Sequence, residues 1–173
     1  SSGNLIIKPK IYWRRNQDEY IYVRSDPSIY RNLHKTNKIS AEVNFNYISS
    51  IGNTGFGIDF SNVSISSNNL GNHKRSITSL YVNHIFSLIS EKLTLSPGIS
   101  FSYFSDLSSN SFPGIDLGYN VSEKIKLYGN LGKTFRIPTY TDLYYSDRTT
   151  IGNSELEPES AVSTEFGFKY NSS

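Results

Sequence analysis

Neither cysteine nor methionine occurs in this 173-residue chain. Without thiols it can hold no disulfide framework and no thiolate metal site, which suits an oxidising compartment without requiring one. Net charge is small as well, with 17 basic and 15 acidic side chains leaving +2. A surface that reads nucleic-acid backbones needs a concentrated basic patch. Arg14-Arg15 and Lys74-Arg75 are isolated pairs, read here as loop or interface charges, so no nucleic-acid partner is expected. Histidine is sparse and dispersed: His34, His73 and His84 show no metal-ligand spacing. There is no Gly-x-Ser-x-Gly elbow and no phosphate-cradling glycine loop, so the reading is not an enzyme, although sequence order leaves open a Ser/His/acid set assembled on one wall. No stretch approaches the roughly 18 consecutive apolar residues of a membrane helix. The mean hydropathy is −0.41. That average is uninformative for a membrane β-barrel, in which only alternate strand residues meet lipid. Ser1-Ser2-Gly3 follows no charged-then-apolar leader, so a processed or excised piece is expected.

Aromatic rings are abundant instead: 13 Tyr and 10 Phe in a chain only 36% hydrophobic. They recur with period two, the mark of a strand with one apolar and one polar face. About eight such runs are predicted. They lie near 5–13, 38–48, 54–60, 76–88, 93–103, 113–121, 125–131 and 162–170. In the clearest, Ile39, Ala41, Val43, Phe45 and Tyr47 oppose Ser40, Glu42, Asn44 and Asn46. Pro97 interrupts the fifth, where its missing N–H predicts a weakened ladder. The polar faces are rich in Ser, Gly, Asn and Thr, as a lumen wall would be.

Connection lengths carry further information. Long links near 24–37, 64–75 and 137–158 and a medium one at 104–111 alternate with tight ones at 49–53, 90–92 and 122–124. Short turns at one end and longer loops at the other describe an up-and-down transmembrane barrel, and a Greek-key sandwich has no reason to keep that order. The predicted class is therefore all-β: an antiparallel up-and-down transmembrane β-barrel, as a single unit over 1–173 with no internal boundary.

The C-terminal third carries a specific pattern. Phe135-Arg136-Ile137-Pro138-Thr139 leads into Asp142-Leu143-Tyr144-Tyr145, and Gly152-Asn153, Leu156 and Pro158-Glu159 follow in order before the last strand. This resembles the signature of TonB-dependent outer-membrane receptors. Upstream, Tyr12-Trp13-Arg14-Arg15 with Asp18, and Leu70-Gly71-Asn72-His73, are similar to the vitamin B12 uptake branch in Bacteroidetes-type bacteria. The resemblance implies bacterial outer-membrane localisation and a barrel of about 22 strands around an N-terminal plug. These eight strands would then be part of the wall. It also implies energised uptake of a scarce nutrient, cobalamin first and a ferric siderophore or haem second, with an oligosaccharide third. The implied partners are outer-membrane lipid, the plug and remaining strands, the TonB complex and a surface lipoprotein.

On that reading the long loops meet ligand, with Tyr20, Tyr22, Tyr30 and Arg31 in the first, Asn68, Asn69, Asn72 and His73 in the second, and Tyr144, Tyr145 and Arg148 in the last. The plainer alternative for each is an exposed polar loop or an aromatic girdle at the membrane boundary. The motif residues Phe135, Arg136, Pro138, Asp142, Leu143, Gly152, Asn153, Leu156, Pro158 and Glu159 are read as structural, with Arg136 pairing with a lumen or plug carboxylate outside this chain. No resident cofactor is expected. Asp142, Asp147 and Glu155 could hold calcium, but their spacing fits no loop template. Two other classes compete: a complete eight-stranded outer-membrane barrel of structural or adhesive role, and a secreted glycan-binding β-sandwich.

Overall fold

The structure, a computed structural model, describes residues 4–172. Its strands are β1 (Asn4–Ile21), β2 (Arg31–Ser49), β3 (Gly52–Ser67), β4 (Gly71–Leu88), β5 (Leu93–Phe104), β6 (Asn110–Asn120), β7 (Ile125–Arg136) and β8 (Glu159–Tyr170), with one short helix, α1 (Tyr140–Tyr144). Every strand pairs antiparallel with its sequence neighbour, giving a single eight-stranded sheet in the order β1 to β8. The all-β meander expected from the alternation is what forms.

Register aligns the apolar positions. Ile7, Phe45, Phe56, Val82, Ile99 and Pro113 stand opposite one another in turn across six strands. Leu95, Leu117, Gly129 and Phe166 continue the band across the last four. A one-residue slip would move every ring to the other face, so each aligned pair reinforces its neighbours. Phe45 and Phe56 stack with centroids 4.7 Å apart, and Phe166 lies so close over Gly129 that a Cβ there would sit 2.9 Å from the ring.

This band is not a core. Ile11 is 81% exposed and Phe166 83%. Among the described residues no second sheet covers the apolar rows, which removes the sandwich alternative. Nor is β1 paired with β8 there, so the sheet does not close into a small barrel. Large apolar side chains along one whole face and polar ones along the other suit hydrocarbon outside and water inside.

The polar face is knitted by local pairs. Lys10 Nζ lies 3.4 Å from Glu42, and the Tyr81 hydroxyl donates to Asn44 Oδ1 at 2.8 Å. Opposite Pro97 and Ser96, His84 and Ile85 drop out of the β4–β5 ladder, which resumes at Phe86 and Leu95. That is the weakened pairing expected from the missing donor.

Several connections differ from expectation. The β3–β4 link is a tight turn over 68–70, because the ladder runs on to Ser67 opposite Gly71. Asn72 and His73 are therefore strand residues, and Tyr20 belongs to β1. The β1–β2 link shrinks to 22–30, whereas the β7–β8 link remains long at 137–158. The first strands run past the apolar band into a more polar segment, part of which the last loop covers. The outward apolar row ends there: Val63 and Ile65 fall on the opposite parity to Phe56, Ile58 and Phe60, although backbone pairing continues.

Candidate functional site

All the longer connections lie at one end of the sheet, and the β7–β8 link folds back over the polar face there. Parity places His73 and Arg75 on the same face of β4 as Tyr81 and Asn83, opposite Leu80 and Val82. Arg75 is buried, with 5% of its surface exposed. Its Nε donates to both carboxylate oxygens of Asp106, at 2.8 and 2.9 Å, and its Nη1 donates to the carbonyl of Pro138 at 3.2 Å. The guanidinium also lies 5.1 Å from the Tyr140 ring centroid. Arg75, read from sequence with Lys74 as a loop or interface charge, is therefore the anchor of the loop. Its parity with Tyr81 and Asn83 was the available signal.

Beside it, the His73 ring stacks on Tyr144 with centroids 3.7 Å apart and 3° between planes, and its Nε2 lies 2.6 Å from the Leu70 carbonyl oxygen. Leu70, Phe104 and Leu143 are the buried hydrophobic side chains among the described residues, and Leu143 belongs to the loop itself. Burial is also the leading reason the Tyr140 phenol titrates above its ordinary value.

The signature motif organises the loop itself. Thr139 and Asp142 form a capping box at the start of α1: the Thr139 hydroxyl accepts from Asp142 N at 3.1 Å, and Asp142 Oδ2 accepts from Thr139 N at 2.9 Å. That backbone donor, followed by the Thr139 hydroxyl, holds the Asp142 carboxyl below its ordinary value. Gly152 donates to the Tyr145 carbonyl at 2.6 Å and Asn153 to the Asp142 carbonyl at 3.0 Å. A Cβ on Gly152 would lie 2.8 Å from backbone atoms of Leu143 and Tyr144, which is why glycine occupies this close approach. Arg136 pairs with Asp142 at 3.2 Å and Glu159 at 3.5 Å. Its carboxylates thus lie within this chain, correcting the expectation of a partner outside it. Pro138, Leu156 and these side chains line a cleft of about 360 Å³.

A larger cleft, about 880 Å³, opens between the first and last loops. Tyr20, Tyr22, Tyr30, Tyr145 and Arg148 line it, joined by Asn32, which sequence reasoning missed. The Tyr30 and Tyr145 hydroxyls are 3.2 Å apart although 115 positions separate them in sequence. Tyr145 donates to Asp147 Oδ2 at 3.0 Å, so its single proton is committed and Tyr30 must donate to it. Asn32 Nδ2 in turn donates to the Tyr30 oxygen at 3.2 Å. Asp147 Oδ1 accepts from Thr149 N at 2.8 Å and Thr150 N at 2.7 Å. Those backbone donors hold the Asp147 carboxyl below its ordinary value.

The other sequence candidates lie outside this cleft. Arg31 Nε donates to Glu19 at 2.6 Å, Asn69 Nδ2 donates to the Ser146 carbonyl at 3.1 Å, and Asn72 stands opposite Ser66 in the ladder. Asp142, Asp147 and Glu155 do not converge: the first two serve separate turns, and no cluster of three His, Asp or Glu ligands occurs among the described residues. Ser67 and His34 do meet, at 2.8 Å. The Ser67 oxygen, however, also accepts from Asn69 N and Leu70 N, at 3.1 and 2.9 Å, which makes it a turn cap with its lone pairs occupied and not a nucleophile.

Fold comparison gives relatives at low identity. The siderophore receptor PirA from Pseudomonas aeruginosa matches 83% of this chain with 29% of its own, at TM-score 0.67 and 19% identity. A mutant ferric enterobactin receptor, PfeA, also from Pseudomonas aeruginosa, matches 95% of this chain with 30% of its own, at TM-score 0.81 and 15% identity. The copper transporter OprC matches 95% with 33% of its own, at TM-score 0.77 and 11% identity. The chain thus spans about a third of the length of these structures. A search of curated proteins finds no match. The family model described as TonB dependent receptor-like, beta-barrel, matches residues 7–173, so this chain belongs to the TonB-dependent receptor β-barrel family.

Proposed function

We propose that this chain is a wall segment, one unit over 1–173, of an outer-membrane receptor for energised uptake of a scarce nutrient such as cobalamin or a ferric siderophore. The cleft of Tyr20, Tyr22, Tyr30, Tyr145 and Arg148 between the long loops is the observation that carries the reading. Four phenol rings offer flat apolar faces with polar edges, and Arg148 adds a cation, which together suit a rigid polar solute presented from outside. The apolar band below the cleft faces lipid, and the polar face lines the conduit. Capture and passage are the work of such a wall, and catalysis is not. The plug, the remaining strands and the TonB complex supply the energy coupling, and a surface lipoprotein is a further partner.

Competition binding by the intact receptor tests this. Cyanocobalamin, a ferric siderophore, haem and an oligosaccharide are each offered to it, and Arg148→Ala is compared with the unchanged receptor. One competitor should bind, and the substitution should weaken it about tenfold, the equivalent of about 1.4 kcal/mol. Failure of all four to bind, or indifference to Arg148→Ala, would remove the cleft as the ligand site.

A further inference from the structure

We propose that Tyr30 Oη, Tyr145 Oη and Asp147 Oδ2 form a protein-borne site for a hard trivalent cation, of which ferric iron is the expected representative. The site ligates the metal directly, and it does not rest on the uptake reading. Its first support is spacing. Oxygen ligands lie about 2.0–2.1 Å from a small hard cation in octahedral geometry, which sets neighbouring oxygens about 2.9 Å apart. The two linked pairs here stand 3.2 and 3.0 Å apart, close to that edge before any metal arrives.

Charge is the second support. The metal-free cluster is one carboxylate and two phenols, linked by the two phenol protons. One ferric ion would release both protons to solvent and leave three anionic oxygens around a +3 centre, electrically neutral and with no change in oxidation state. Hard oxygen donors favour such an ion over softer metals. The open cleft leaves the remaining coordination positions to water or an anion, and Arg148 on the same wall offers a counter-charge to that anion.

Outer contacts pre-orient all three ligands, as built metal sites require. Asn32, buried with 6% of its surface exposed, donates to the Tyr30 oxygen and fixes its approach. Tyr20 meets the Tyr30 ring edge-on at 6.3 Å. Tyr145 is held through its backbone by Thr141 and Gly152. Thr149 and Thr150 occupy Asp147 Oδ1, leaving Oδ2 turned towards the phenols.

The test uses the full-length receptor in detergent micelles, titrated with ferric nitrilotriacetate. The expected result is a visible phenolate-to-iron charge-transfer band that saturates at one ion per receptor, with two protons released. Tyr30→Phe and Tyr145→Phe should each reduce the band at least tenfold, and Asp147→Asn should weaken binding. Tyr103→Phe, on the outer face, should leave it unchanged. Heat-modifiable gel mobility establishes that each variant is folded. Titration of the unchanged receptor with gallium supplies a second readout, the ultraviolet difference spectrum of two tyrosinates. Absence of both signals, or a band that persists in Tyr145→Phe, overturns the site. A positive titration alongside failed nutrient competition would leave this site standing and remove only the uptake reading.

Discussion

The buried ion pair beneath the β7–β8 loop supports a prediction about order as well as size. Arg75 and Asp106 share two hydrogen bonds at 2.8 and 2.9 Å, but their exposures differ: 6% of the Arg75 side chain reaches solvent against 28% of Asp106. Removing the arginine leaves a carboxylate that water can still reach, together with a Pro138 carbonyl that has lost its donor. Removing the aspartate leaves a guanidinium with almost no access to water, and a buried charge stripped of its partner costs about 3–5 kcal/mol. We therefore expect Arg75→Met to destabilise the loop by about 2 kcal/mol, from lost charged hydrogen bonds. Asp106→Ala should cost about 3–4 kcal/mol. Amide exchange at Leu143, Gly152 and Asn153, whose N–H groups all bond within the loop, reads this directly. Protection should fall about 30-fold for the first substitution and several hundredfold for the second, at 1.4 kcal/mol per decade. Equal losses, or a milder effect of Asp106→Ala, would refute the desolvation argument; unchanged protection in both would refute the anchor itself.

The same loop should loosen in acid. Asp142 and Asp147 both titrate below the ordinary carboxylate value in the folded chain, held by the Thr139 donors and by the Thr149 and Thr150 amides respectively. A depressed folded value means that their contribution is complete above the unfolded value and is lost as pH falls through the folded one. Exchange at the Thr139, Thr149 and Thr150 amides should therefore accelerate below about pH 4 relative to the β4–β5 ladder, and a flat profile would contradict these caps. The face assignment makes a separate prediction. Leu80→Arg, in the outward band, should cost about 2–4 kcal/mol and impair assembly in the bilayer, whereas Ser100→Arg, on the polar face, should still give a heat-modifiable folded receptor. The reverse order would place lipid on the other side of the sheet.

Within the apolar band the sequence was explicit, because an apolar face and a polar face impose period two on every strand. Val43, Phe45, Ile58, Leu80, Ile99 and Leu117 could be assigned to one face from parity alone, and the structure keeps them there. Beyond the band that constraint ends. Ser64, Ser66, Asn72 and His73 add no apolar side chain to the outward row, so that row did not mark them as paired strand, and a long loop was expected where a tight turn stands. The Pro138 and Gly152 motif announced a family loop but not its destination.

From sequence alone came the meander, the division into apolar and polar faces and the C-terminal signature, all of them written in local alternation and short spacing. Tertiary structure alone decided that the last loop lies over the polar face on a buried Arg75, that Arg136 finds its carboxylates in Asp142 and Glu159, and that Tyr30 touches Tyr145. These contacts join residues up to 115 positions apart. Their partners are set by where a 22-residue connection folds, a question of packing and desolvation that no local periodicity records.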